Sequence, residues 1–146
     1  MEVREIGTWV WAALLSALFA SATAILAKIG IEGVNSNLAT AIRTAVILVF
    51  AWGIVVAQGH LSDVTTLSRR TWIFLGLSGL ATGLSWLFYF YALKIGPVAR
   101  VATLDKLSLA FTLVLSIVIL REQASPQLFI GIAMMIGGAI FTTLRF

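Results

Sequence analysis

The stretch VATLDKLSLAFTLVLSIVIL, from Val101 to Leu120, is apolar enough for the interior of a lipid bilayer, yet it contains the adjacent charged residues Asp105 and Lys106. With the residues that follow Pro97, the apolar run covers 98–120, which exceeds the roughly 20 residues that a spanning helix needs. Because lipid offers no partner for backbone polar groups, a run of this length is predicted to be a transmembrane helix.

The rest of the chain has the same character. Of its 146 residues, 60% are hydrophobic and only 11% are charged, which is too little polar surface to cover a water-soluble globule. Five apolar runs predict an all-α integral membrane protein, a single domain over 1–146 and a multi-pass location in the inner (plasma) membrane. We place the five transmembrane helices near 8–31, 37–56, 71–95, 98–120 and 128–144.

Four charged residues fall inside these predicted helices and are candidates for ion pairing or transport: Lys28, Arg43, Asp105 and Lys106. Ionisable groups in a bilayer cost at least about 3 kcal/mol and usually carry function. Asp105 and Arg43 each lie about 10 Å from a helix start, on the same membrane side as Lys28. We therefore expect Asp105 to pair with Lys28 or Arg43. Successive helical residues point about 100° apart, so Lys106 is expected to point elsewhere.

Two stripes of polar side chains lie on the third and fourth predicted helices, at spacings of three and four residues that put each stripe on one helical face. Two interpretations stay open: the hydroxyls bond to their own helix or join helices, or both stripes line one polar cavity with aromatic walls. The cavity-lining candidates are Ser78, Thr82, Ser85, Trp86, Tyr89, Ser108, Thr112 and Ser116.

The last apolar run contains the segment GIAMMIGGAI, whose small residues allow close helix approach. They give a candidate dimer seam formed by Gly131, Ala133, Gly137 and Gly138.

Several functional classes are disfavoured. The chain has no Cys, its one histidine, His60, lies in a polar loop, and no acidic cluster or catalytic triad is present. We predict no catalytic residues, no metal site and no cofactor, and hence not an enzyme. The basic residues form no tract, so nucleic acid is not an expected partner.

A family resemblance rests on the segment from Phe88 to Ile140, above all on YALKIGPVARV and on ILREQAS before the glycine-bearing last helix. This segment resembles the EamA-type half of the drug/metabolite transporter superfamily. Family members often have Gly at the position of Arg121 and Pro in the DKLS region, and these departures resemble a short, five-helix bacterial and archaeal branch. The resemblance implies half of a ten-helix inverted-repeat transporter, which moves small metabolites by alternating access.

The mostly basic embedded charges favour export of anionic or zwitterionic metabolites such as amino acids, with Asp105, the one deep acid, as the candidate for proton coupling. The smallest four-helix relatives use a Glu in the middle of the first helix for cation export, whereas this chain has no acid from Leu14 to Ala27. A small-multidrug-type cation exporter and a non-transporting membrane subunit or scaffold remain alternatives.

A five-helix half must pair to build the ten-helix pathway, so we expect a homodimer, with antiparallel copies and dual topology favoured. Orientation follows the Lys and Arg bias of short loops. The count is four against four, with Arg4, Arg69, Arg70 and Arg121 on the predicted N-terminal side and Lys28, Lys94, Arg100 and Arg145 on the other. Discounting Lys28 and Arg100, which lie at the bilayer boundary, favours a cytoplasmic N-terminus, so the expected bias is weak and not absent. The expected partners are thus the lipid bilayer, a small-molecule substrate and a second copy of the chain.

Overall fold

The computed structural model describes residues 3–143, with side chains from residue 7 onward. These residues form helices and turns, without strands, which confirms the predicted all-α fold class. The α-helices are α1 (Val3–Gly30), α2 (Ser36–Ala57), α3 (Arg69–Ile95), α4 (Val98–Asp105), α5 (Ser108–Leu115) and α6 (Pro126–Phe141). A 3₁₀ helix covers His60–Thr66 and a π-helical turn covers Ser116–Leu120. The predicted helix end at Leu144, the side chain of Arg4 and all of Arg145 lie outside the described residues.

Four segments of the described chain are long and apolar enough to cross a membrane: Gly7–Gly30, Ser36–Ala57, Arg69–Ile95 and Val98–Leu120. The shortest of them has 22 residues, which at about 1.5 Å per residue matches a hydrocarbon core about 30 Å thick. α6 is also apolar, but it has only 16 residues and is shorter than a typical span.

The helix boundaries follow local chemistry. Asn35 caps α2, because its side-chain oxygen accepts hydrogen bonds from the N–H groups of Asn37 (2.9 Å) and Leu38 (3.3 Å). Ser125 caps α6 by accepting from the N–H of Leu128 (3.3 Å), with Pro126 in the first turn, where its missing N–H is harmless. Both helix starts are therefore local features of the sequence.

The fourth span is not the continuous helix that the sequence predicts. Around Lys106 and Leu107 the backbone changes to bonds between residues three apart: the N–H of Lys106 donates to Thr103 (3.1 Å) and that of Leu107 to Leu104 (2.9 Å). The span ends in the π-helical turn. There the N–H groups of Arg121 and Glu122 both donate to the carbonyl of Ser116, in the second case at 3.2 Å. The charged pair Asp105–Lys106 thus lies where the helix changes its geometry.

The described chain divides into two compact units. One comprises Leu26–Lys94, and the other comprises Met1–Ile25 together with Ile95–Phe146. In the second unit α6 packs against α4 and α5, and the buried residues Leu113 and Ala139 belong to these helices. In the first unit the buried residues include Ile31, Phe90 and Leu93. The prediction of a single domain over 1–146 stays a prediction.

Few large apolar side chains of the described chain are buried. Phe88 and Val49 are each 73% exposed, although both lie inside predicted spans. In water such a surface would drive aggregation, whereas lipid tails solvate it as well as a protein interior does. The exposure pattern agrees with a protein whose solvent is the bilayer.

Candidate functional site

Arg43 contacts two aromatic rings. It lies seven residues after Ser36 in α2, about 10 Å into the span. Its guanidinium carbon Cζ is 4.4 Å from the ring centroid of Trp86 and 4.9 Å from that of Phe90, both on α3. Trp86 and Phe90 are four residues apart and therefore share one face of that helix. Both distances fall within the roughly 6 Å range of cation–π attraction.

The aromatic part of this site has a rigid base. Phe90 is only 2% exposed, and the ring of Tyr89 meets it edge to face, with centroids 6.2 Å apart and planes at 68°. Arg43, Trp86 and Tyr89 are half-buried. These four residues, Arg43, Trp86, Tyr89 and Phe90, form the Arg43 cluster.

No acidic side chain neutralises Arg43 among the described residues. The ion pairs of the described chain join His60 to Asp63 and Lys106 to Asp105, and neither includes Arg43. Aromatic rings compensate part of the cost of moving a guanidinium out of water, but they leave its full positive charge in place. The Arg43 cluster is therefore a cationic site at membrane depth.

Lys28 has a different role, which depends on Pro97. In α3 the carbonyl of Leu93 would normally accept from the N–H four residues later, and that residue is Pro97, which has none. Leu93 is fully buried, so water cannot replace the missing donor. The ammonium nitrogen Nζ of Lys28 donates to this carbonyl at 2.6 Å. Lys28 thus caps the C-terminus of α3, where a cation also interacts favourably with the helix dipole.

Asp105 and Lys106 contact each other, which corrects the expectation that they point apart. The Lys106 Nζ lies 3.9 Å from Asp105 Oδ2, and the two side chains are 53% and 42% exposed. The sequence predicts that Asp105 pairs with Lys28 or Arg43; the ion pair that the structure describes for it is instead with its own neighbour. The long lysine stem accounts for the difference, because it can curve back although the two Cβ atoms diverge.

The hydroxyl stripes divide into two groups. Thr82 Oγ1 donates to the carbonyl of Ser78 at 2.9 Å and Ser116 Oγ to that of Leu113 at 3.0 Å, so these hydroxyls are satisfied by their own helices. No hydrogen bond is described for the exposed hydroxyls of Ser78, Ser85, Ser108 and Thr112, and these are the better candidates for contact with water. A cavity shared by the two stripes stays a prediction.

The candidate dimer seam lies on the open face of α6. Gly131, Ala133, Gly137 and Gly138 are all exposed, and a Cβ atom added to any of the three glycines would meet nothing within 4 Å. The buried residue of α6 is Ala139, with Ile132 and Ile136 half-buried at spacings of four and three residues. The small residues are therefore exposed on the surface of this chain, and their role in a dimer stays a prediction.

Three features of the structure are not predicted by the sequence. Phe90 was not among the predicted site residues, although its four-residue spacing from Trp86 was visible. The left-handed conformation of Arg121 (φ 56°) was not foreseen. An open apolar groove of about 170 Å³ is lined by Leu48, Ala51, Trp52, Val55 and Val64. It lies between α2 and the 3₁₀ helix, and no pattern in the sequence predicts it.

Among the side chains of residues 7–143, no three from His, Cys, Asp or Glu come together. His60 Nδ1 contacts Asp63 Oδ2 at 2.8 Å, but both side chains are more than 60% exposed on the loop (64% and 63%). This contact lies within one turn of the 3₁₀ helix and stabilises that turn locally.

The long apolar helices and the embedded charges define a multi-pass membrane protein. The family profile of EamA-like transporters matches residues 7–144, and the chain belongs to this family. It is 47% identical over 133 residues to a protein of Sinorhizobium sp. described as an uncharacterized transporter in the cobO 3' region. The alignment covers 91% of this chain and 94% of that relative. No solved structure matches the chain. The protein is a membrane transporter, and the predicted family is confirmed.

Proposed function

We propose that this transporter is a secondary exporter of small anionic or zwitterionic metabolites, such as amino acids, and that it works by alternating access as a homodimer in the inner membrane. The observation that carries the proposal is the Arg43 cluster. It holds a positive charge about 10 Å into a membrane span, without an acidic partner among the described residues.

The sign of this charge selects the class of substrate. A cation in a low-dielectric site attracts an anion far more strongly than it would in water. A passing organic cation would meet repulsion at the same place, which disfavours the small-multidrug-type cation exporter. A scaffold protein would gain nothing from a cation that costs free energy to embed. An anion that neutralises Arg43 during transport gives the charge a function.

Asp105 is the proposed coupling residue. It is the one acid within the spanning segments and α6, and its side chain is half-exposed beside Lys106. A half-exposed carboxylate is accessible to water, whereas a fully enclosed one is not. Its place at the change in helix geometry also lets a movement of the fourth span alter its surroundings.

A second copy of the chain would cover the charged and small residues that a single copy leaves exposed. Asp105 and Lys106 are exposed about 10–12 Å along the span, where lipid is a poor neighbour for charge. The open face of α6 offers small residues for close helix approach. Both observations support a dimer that encloses a water-filled path next to these charges.

Transport by purified protein in liposomes tests the proposal. We expect a pH gradient to drive uptake of a radiolabelled amino acid into protein-containing vesicles and not into protein-free ones. Asp105→Asn should abolish gradient-driven uptake while leaving exchange of labelled for unlabelled amino acid intact. Transport of a lipophilic cation such as tetraphenylphosphonium, with no anion or zwitterion moved, would contradict the proposal and favour the cation exporter.

A further inference from the structure

We infer that the Arg43 cluster is a monocarboxylate-binding site, in which the guanidinium binds the carboxylate of the substrate while Trp86 and Phe90 hold it in position. This inference rests on the proposed function and deepens it, because it narrows anionic and zwitterionic metabolites to those with a single carboxylate.

The geometry leaves the right atoms available. The rings of Trp86 and Phe90 approach the guanidinium carbon at 4.4 and 4.9 Å, and cation–π attraction leaves the positive charge in place. The guanidinium has five N–H donors, and among the described residues none of them donates a hydrogen bond to the protein. A carboxylate can accept two parallel hydrogen bonds from such a fork. Arg43 is half-buried and so remains accessible to a ligand.

The number of positively charged side chains at the site determines how much negative charge on a ligand can be neutralised there. Lys28, the other basic side chain embedded in the same unit, is bonded to the Leu93 carbonyl at 2.6 Å and caps α3. Lys28 keeps its charge but is held at that helix end, so the guanidinium of Arg43 is the single positive charge within the Arg43 cluster. One carboxylate neutralises it, whereas a dicarboxylate or a phosphate dianion would bring an uncompensated negative charge into a low-dielectric site.

The aromatic side of the cluster adds to the selectivity. Trp86 and Tyr89 are half-buried; Trp86 shares a face of α3 with Phe90, and Tyr89 contacts the edge of Phe90, so their rings offer apolar surface near the carboxylate site. An amino acid or another acid with an apolar body can bury that body against the rings, and its ammonium group can lie over a ring face. We therefore expect leucine and 3-phenylpropionate to bind, and succinate and inorganic phosphate to bind much more weakly.

Binding to the purified full-length protein in detergent, without any gradient, tests the site. Thermal unfolding is measured against leucine, 3-phenylpropionate, succinate and phosphate at matched ionic strength and neutral pH, because a ligand of the native state raises the unfolding temperature. We expect saturable stabilisation by the two monocarboxylates. Arg43→Gln should weaken their binding by about ten- to a hundredfold, as expected for loss of a charge-assisted double hydrogen bond.

Arg70 provides a matched control, since its guanidinium carbon lies 5.8 Å from the ring centroid of Phe74 in another arginine–aromatic contact. Arg70→Gln should bind the monocarboxylates as the wild type does. If Arg43→Gln does not fold, Arg43→Lys keeps the charge but lacks the fork. It should bind several-fold more weakly and still prefer monocarboxylates.

Several outcomes would overturn the inference: wild-type affinity in Arg43→Gln or Arg43→Lys, equal loss in Arg70→Gln, or tighter binding of succinate or phosphate. Different experimental results would contradict the binding site and the proposed transport function. Carboxylate binding that depends on Arg43, without transport in liposomes, supports the site and contradicts the transport proposal. Carboxylate transport that is unchanged in Arg43→Gln supports transport and contradicts the site.

Discussion

Lys28 is a structural residue whose ammonium group caps the C-terminus of α3. Pro97 deprives the buried carbonyl of Leu93 of its usual donor, and Lys28 replaces that donor at 2.6 Å. We expect Lys28→Met to lower the free energy of unfolding by about 1–3 kcal/mol, because a buried acceptor would lose its partner. Lys28→Arg, which keeps a cationic donor, should retain part of the stability. Thermal unfolding in detergent followed by circular dichroism measures both variants, and a fully stable Lys28→Met protein would contradict the capping role.

Arg121 holds a left-handed backbone conformation, with φ 56° and ψ 33°, which favours glycine. For a residue with a side chain this conformation costs about 1–2 kcal/mol, and the extra flexibility of an unfolded glycine offsets part of the gain. Arg121→Gly should therefore raise the free energy of unfolding by about 0.5–1 kcal/mol. Arg121→Ala removes the same side chain but keeps the strain, so it should bring no such gain. Equal stability of the two variants would show that the backbone is not the cause.

At the scale of elements, the exposed fraction of a side chain does not show whether that side chain faces water or lipid. Ser85 and Phe88 are both exposed on α3, but we expect only the serine to face an aqueous cavity. The cysteine-free chain allows a direct test with single cysteines at Ser85, Ser108, Thr112 and Phe88. A small polar thiol reagent reacts with the thiolate, which forms in water and not in lipid. Labelling should occur at the three hydroxyl positions and not at Phe88. Labelling at none of the four would favour the packing interpretation of the stripes.

At the scale of the whole molecule, the proposed dimer makes a prediction about orientation. The loop charges give only a weak bias, so copies should insert in both directions and pair antiparallel, as in inverted-repeat transporters. A topology reporter fused to the C-terminus should be found on both membrane faces. Single cysteines at Gly131 and Gly137 should cross-link between copies in native membranes, whereas a cysteine at half-buried Ile136 should not. A C-terminus on one side in all copies would contradict dual topology and favour a parallel dimer.

The sequence by itself determined the membrane class, the helical fold and the approximate limits of the spans. Each of these depends on local properties: the length of an apolar run, a capping Asn or Ser, and a proline that a helix interior cannot hold. It also identified Arg43 and Trp86 as site candidates, because a charge or an indole inside an apolar run is unusual wherever it lies in the fold.

Only the tertiary structure decided which of these residues meet. Lys28 and Leu93 are 65 positions apart in the chain, and periodicity within one helix contains no information about the rotation of another helix against it. The structure thus assigns different contacts to Lys28 and Arg43, two embedded cations that the sequence alone does not distinguish. Lys28 is bonded to a backbone carbonyl, whereas the guanidinium carbon of Arg43 lies 4.4 and 4.9 Å from two ring centroids and is paired with no acidic side chain of the described residues. The change of helix geometry at Lys106 is likewise absent from the apolar pattern, because helices with bonds between residues three and four apart bury nearly the same side chains over so short a stretch.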